Sequence, residues 1–319
     1  MEEVHARQET PENNTLSSTS TTKMVEESAA GNSSNDAGAA AGWGSDTVEN
    51  KERPPEQDDN KLSFITWNVD GLDGAKLPQR AVALSKYLIR YSADVVFLQE
   101  IIPPYALFLH KRLSAAYTII EGAKEGYFTM MLLKKSRITV EKSGIVHYPA
   151  TRMGRNLLVA RVLFKGQKFC LMTSHFESCK SSAAERKRQL RLVMRRIGKA
   201  RENVTVLFGG DTNLRDAEVA EVGLPSGVYD VWEQLGEPEH CRYTWDTEAN
   251  TNKVMQFPNR FRFDRVYLCP ATMDSVPQLE PDSMALVGLE KLKCGCFTSD
   301  HWGIYCTFSA EWKCTDDKN

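Results

Sequence analysis

The chain has 319 residues, 41% hydrophobic and 26% charged, enough to bury one large core or two ordinary ones. No apolar run is long enough to cross a bilayer, and the opening MEEVHARQE is acidic where a secretory leader is basic, which argues against membrane insertion and export. The formal charge of −2 hides an asymmetry: residues 1–60 carry 13 acidic and 4 basic side chains, a net of −9, whereas the rest carries 36 basic and 29 acidic, a net of +7.

In chain order, residues 1–60 come first. NNTLSSTSTTK and AAGNSSNDAGAAAGWGSD are poor in branched aliphatics, so their burial cannot offset ordering entropy, and a disordered acidic tail is expected up to Pro54-Pro55. Trp43 is an isolated aromatic within it. A single domain is expected over 61–310, followed by a short tail, 311–319. LSFITWN reads as a buried strand, and LPQRAVALSKYLIRY as a helix with Pro78 in its first turn and Ala81, Leu84 and Leu88 on one face. DVVFLQE is a strand and PPYALFLHKRL a helix. YTIIEG, YFTMMLLKK, RITVEKSGIVHY, NLLVARVLF and KFCLMTSHFE are successive strands. AAERKRQLRLVMRRIGKA is a helix with an apolar stripe of Leu190, Val193, Met194 and Ile197. Its other face carries Arg186, Arg188, Arg191, Arg195 and Lys199; such a run is first a solvated face and second a polyanion contact. VTVLFGGD, RFDRVYLC and DHWGIYCTF supply the later strands. Many buried strands and few helices define an α/β protein with two packed mixed sheets flanked by helices. Eight cysteines lie mostly alone in apolar strands without a CxxC pair, which suits reduced thiols in the nucleus or cytoplasm rather than a zinc site.

The chemistry is expected at strand ends. Asn68 and Asp70 follow one strand, Glu100 ends another, Asp211 and Asn213 end VLFGGDTN, and Asp300 and His301 begin a strand; His175 and Asp264 add to the set. Each has a plainer reading. Gly209-Gly210-Asp211 is a turn with a solvated cap, Glu100 an N-terminal helix carboxylate, His175 a satisfied core histidine. Adjacent strand residues point to opposite faces, so Asp300 is poorly placed to orient His301; Asp264 is the candidate, unless it pairs with Arg262 or Arg265. Carboxylates without thiolates favour a hard cation, and Asp70 with Glu100 would suffice for Mg²⁺, with Mn²⁺ able to substitute.

TWNVDGL, FLQE, TSHFES, GGDTNLRD and SDHWG, in this order, resemble the endonuclease/exonuclease/phosphatase superfamily. The similarity runs from about Leu62 to about Phe308. The wording of QEIIPPY, EGYFTMMLLKKSR, HCRYTWDT and GLEKLKCGCFTSDHWG resembles the branch that hydrolyses the phosphodiester between a topoisomerase II tyrosine and a DNA 5′ end, leaving a ligatable 5′-phosphate for break repair. The resemblance implies a four-layer α/β sandwich, Asp70 and Glu100 as the magnesium site, and Asp211 as the acid/base. Asn68 and Asn213 would hold phosphate and water, His175 and His301 would stabilise phosphoryl oxygens, Asp264 would orient His301, and Asp300 would support the metal side. Gly71, Leu72, Tyr127, Glu177, Ser178, Lys180, Leu214, Arg215 and Trp245, with Asn68, His175 and Asn213, would line the DNA groove, Arg215 stacking on the Trp245 indole. A nuclear monomer, with the cytoplasm as a second location, is the expected form.

Two departures stand out. Cys179-Lys180 replaces the expected Thr-Arg, so the fork of a guanidinium is lost. Residues 1–60 do not supply the ubiquitin-binding helical domain that family members often carry. The alternatives are another phosphoesterase of the superfamily, such as an abasic-site endonuclease or a polyphosphate phosphatase, and a non-catalytic interaction protein on the same fold.

Overall fold

The computed structural model describes residues 58–310. The expected tails, 1–60 but for its last three residues and 311–319, lie outside the described residues, as does Trp43.

Two six-stranded sheets form the body. The first has the order β13-β14-β1-β2-β4-β3, where β1 is Leu62–Asn68, β2 Val95–Ile101, β3 Tyr117–Glu121, β4 Phe128–Lys134, β13 Glu280–Val287 and β14 Gly303–Ser309. The second has the order β5-β6-β7-β8-β12-β9, with β5 Ile138–His147, β6 Asn156–Phe164, β7 Gln167–Ser174, β8 Val204–Asp211, β9 Tyr229–Asp230 and β12 Asp264–Cys269. A two-stranded ribbon pairs β10 (Trp245–Asp246) with β11 (Arg260–Phe261). Each large sheet contains one parallel pair joined by a helix. In the first, α1 (Leu77–Tyr91) links β1 to β2; in the second, α3 (Ala183–Ile197) links β7 to β8. β1 also pairs antiparallel with β14, Leu62 facing Phe308, so the first and last described strands are neighbours.

Three apolar layers hold four structural layers together. Phe64, Phe97, Leu171, Leu207 and Val266 meet between the sheets. Ala81, Leu84 and Leu88 of α1, with Tyr105 and Leu109 of α2 (Pro103–Leu113), cover the outer face of the first sheet. Leu190, Val193, Met194 and Ile197 of α3 cover the second, joined by Val219 of α4 (Asp216–Val222). Each fully buried side chain of this kind contributes about 1.5–3 kcal/mol. The expected four-layer sandwich is the one observed. The short α5 (Val231–Gln234) lies beside β12.

Two expectations fail here. Gly209 and Gly210 form no turn; they lie within β8, just ahead of its last residue, Asp211. A Cβ at Gly210 would lie 2.1 Å from the Ser174 carbonyl oxygen, so glycine is required by the close approach of β7. Arg186 does not belong to a solvated face. It is fully buried, its guanidinium 2.7 Å from Glu218 of α4, and it donates to the carbonyls of Glu177, Ser178 and Cys179. The arginine pins the loop that leaves β7, a task unavailable to an aliphatic residue.

Candidate active site

One rim of the sandwich collects the polar residues. Asn68 ends β1, Glu100 is the penultimate residue of β2, Asp211 ends β8, and Asp264 begins the antiparallel β12 directly opposite Asp211. His175 follows β7, and His301 precedes β14. The local backbone is bent to aim them. Asp70, Glu100 and Asn213 have φ of 49°, 61° and 51°, a left-handed conformation that non-glycine residues adopt at a cost of about 1–3 kcal/mol. A register shift between Leu98 and Ile101 interrupts the β2–β4 ladder at Glu100 and turns its side chain to the rim. Gly71 lets the loop after β1 rest on β2, since a Cβ there would meet the Glu100 carbonyl oxygen at 2.0 Å.

Asp211 is the hub. Its Oδ2 accepts from Asn68 Nδ2 at 2.9 Å and lies 3.2 Å from His175 Nε2 and 3.8 Å from His301 Nε2. Oδ1 accepts from the Asn213 backbone N–H at 2.9 Å. Burial pushes this carboxyl up, but the imidazoles of His175 and then His301, with the hydrogen bonds from His175 and Asn68, outweigh it and hold Asp211 well below the usual carboxylate range. Asp211 is therefore ionised throughout the neutral range.

The two histidines are fixed differently. His301 Nδ1 is 2.7 Å from Asp264 Oδ2, as the strand geometry anticipated, and the competing arginines are engaged elsewhere. Arg262 pairs with Asp230 at 2.7 Å and Arg265 with Asp216 at 2.6 Å. Burial disfavours charge on His301, yet the carboxylates of Asp264 and Asp211 raise its pKa well above the ordinary value. His175 Nδ1 faces Arg155 Nη1 at 2.8 Å. A guanidinium only donates, so Nδ1 accepts and Nε2 carries the hydrogen directed at Asp211. Arg155 was not legible in the sequence. It lies in a loop before β6, 4.7 Å over the Tyr127 ring, and with Tyr127, Met153 and His175 it lines a cavity of about 290 Å³.

Among the described residues, ligand atoms of Glu100, His175 and Asp211 lie within 4.8 Å of one another, as do those of Asp211, Asp264 and His301, so the rim can hold a divalent cation. Asp70 is outside both clusters. Its carboxylate is raised to about 7 by burial and by the charge of Asp300. Lys253 Nζ approaches Oδ2 at 3.0 Å, yet that buried oxygen forms no hydrogen bond of good geometry. A buried carboxylate oxygen left in this way fits a site for a cation. The loop holding Asp70 is secured by Arg80, which is fully buried and donates to the carbonyls of Val69 (3.1 Å), Asp70 (3.0 Å) and Asp73 (2.5 Å).

Of the groove residues, Leu72 is exposed, Lys180 is exposed, and Ser178 is half-buried at the same rim. Glu177 and Leu214 face inward. Glu177 Oε1 accepts from Thr151 Oγ1 and from the backbone of Arg152 and Met153, organising that loop, and Leu214 belongs to the α3 core layer. Arg215 does not stack on Trp245. Its guanidinium sits 5.1 Å from the Phe263 ring and 5.6 Å from Phe261, and Trp245 stacks on Phe261 at 6.1 Å, its Nε1 donating to Asp300 at 3.3 Å. The two phenylalanines, Phe261 in β11 and Phe263 just ahead of β12, stack on each other at 4.8 Å and interpose.

A rim of carboxylates and imidazoles between two sheets defines a phosphoesterase-type hydrolase. The chain belongs to the Endonuclease/Exonuclease/phosphatase family, whose model matches residues 65–301. Among its relatives is tyrosyl-DNA phosphodiesterase 2 of Danio rerio, 56% identical over 263 residues that cover 82% of this chain and 70% of that protein. The Mus musculus protein of the same name is 52% identical over 256 residues, 80% of this chain and 68% of that one. The crystal structure of D. rerio TDP2 complexed with single strand DNA product superposes with a TM-score of 0.76 at 57% identity, covering 78% of this chain and 99% of that one.

Proposed function

We propose that this protein is a metal-dependent hydrolase that cleaves the phosphodiester between a tyrosine and a DNA 5′ end, releasing the tyrosine and a 5′-phosphate. The carrying observation is the Asp211 carboxylate: ionised, buried, and held on both oxygens by Asn68, Asn213 and the two imidazoles. Such a group orients a water and accepts its proton as the water oxygen bonds to phosphorus and the bond from phosphorus to the tyrosyl oxygen breaks. His301, its pKa raised by Asp264 and Asp211, presents a positive ring to the charge that builds on the phosphoryl oxygens. The cavity of Tyr127, Arg155 and His175 suits the phenolic side of the bond, where the Arg155 guanidinium, held against His175, would meet charge on the departing oxygen. A cation held by Asp70 and Glu100 would polarise the phosphoryl group; magnesium suits this oxygen-donor pair, with manganese able to replace it.

The biological substrate on this reading is a trapped topoisomerase II adduct, handled by a monomer in the nucleus with a cytoplasmic pool. Arg215, Ser178 and Lys180 meet the strand's phosphates, and Trp245 offers a stacking face. The deciding experiment is cleavage of a 5′-tyrosyl oligonucleotide with and without Mg²⁺, beside an abasic duplex. Tyrosine release that needs the metal is expected; preferential incision of the abasic duplex would reject the reading.

A further inference from the structure

On the outer face of the second sheet, a cavity of about 470 Å³ lies at the end of β7 and β8 opposite the catalytic rim. Its apolar lining includes Val159, Cys170, Met172 and Ala200. Its walls carry five cations, Arg161, Lys168, Arg196, Lys199 and Arg201, against the single acid Glu141. The side chains of the five form no ion pair or hydrogen bond among the described residues. Buried arginines elsewhere are treated otherwise: Arg186 meets Glu218, Arg262 meets Asp230, Arg265 meets Asp216 and Arg137 meets Asp94, all at 3.0 Å or less. Arg196, in the last turn of α3, complements the helix dipole, but Arg161 and Lys168 lie on strands and gain nothing from it. Five like charges around one apolar lining repel one another until a polyanion is present.

Helix α3 connects this cavity to the site. It starts shortly after Lys180 and carries Arg196 in its last turn, and its 15 residues span about 22 Å. Arg188 and Arg191 lie along it, loosely held by Glu185 at 3.3 Å and Glu221 at 3.9 Å, and Arg195 follows. At about 3.4 Å per phosphate of one strand, the helix matches roughly six or seven phosphates.

We propose that the cavity is a distal DNA site: the strand whose 5′ end occupies the catalytic rim runs along α3, and its backbone is gripped by the cations around the cavity. The proposal rests on the DNA-end reading above. A free polyphosphate would match the cavity's charge, but only a strand uses the continuous line of cations leading to it.

The test compares the parent with the triple variant Arg161→Gln, Lys168→Gln, Arg201→Gln, none of which is in the catalytic rim. Binding of 5′-phosphorylated single strands of about four and about twenty nucleotides is titrated across salt concentrations, where each lost single-strand contact lowers the slope by about 0.7. For the long strand, the variant is expected to bind about tenfold more weakly, with the slope reduced by about 2. Affinity for the short strand and turnover of a short 5′-tyrosyl oligonucleotide stay at the parent's values. An unchanged long-strand affinity, or an equal loss for both lengths, overturns the proposal. So does tripolyphosphate binding that the variant loses while keeping the long strand. Absence of tyrosyl cleavage by the parent strikes the catalytic reading alone, because the length comparison reads only binding.

Discussion

At the scale of single residues, the site is a set of charges fixed by their neighbours. Asp211→Asn keeps the shape and removes the proton acceptor, so turnover should fall about a hundredfold or more with DNA affinity retained; a loss within a few-fold would return Asp211 to a structural role. Glu100→Gln removes charge at a strained, bulged position and should abolish metal-dependent turnover, with an unchanged circular dichroism spectrum as the control. Asp264→Asn tests His301. Burial opposes the charged ring, while Asp264 and then Asp211 raise its pKa, so the favourable state exists at low and neutral pH and is lost as pH rises through the raised value. By the same sign, the histidine's contribution to stability is present below its unfolded value of about 6.5 and disappears on the alkaline side, while burial raises the Asp264 carboxyl, whose protonation ends the pair on the acid side. The variant should therefore show its alkaline limb moved to lower pH, and an unmoved pH–rate profile would remove Asp264 from the mechanism.

At the scale of elements, β-strands with continuous apolar runs were legible because burial on both faces leaves a simple signature, and Asn68, Glu100 and Asp211 were legible because they interrupt such runs. β13 was not, since EPDSMALV buries only Met284 and Val287 fully and reads as a loop. The Arg186–Glu218 pair was hidden for another reason: within a helix of arginines, nothing local tells which one turns inward until α4 is placed against α3. Arg186→Ala should cost about 3–5 kcal/mol, because Glu218 is left enclosed without its partner and the loop after β7 loses its anchor. Thermal unfolding checks the stability, and a raised KM for DNA ends would report the loosened Ser178–Lys180 segment. Gly209-Gly210 was misread because a glycine pair signals a turn more often than it signals two backbones in contact. The Arg215 stack was misassigned because adjacency across β11 and β12 depends on register, which sequence spacing does not carry.

At the scale of the molecule, the layers close within residues 58–310, and Asp59 and Lys61 already engage that body, through Arg137 at 2.7 Å and Asp282 at 2.7 Å. Removing residues 1–57 should leave the melting temperature within a few degrees and the rate on short tyrosyl-DNA unchanged; a chain that unfolds on this truncation would refute the single-body description.

The position of β14 bears on when the enzyme comes into being. The strand is the last of those described, yet it lies inside the first sheet between β13 and β1, and His301 stands just ahead of it. A nascent chain lacking it cannot complete that sheet or fix the imidazole beside Asp264. Synthesis thus delivers the hydrolase all at once: no polypeptide still short of Ser309 carries a finished catalytic rim, and a product terminated ahead of β14 would be inert.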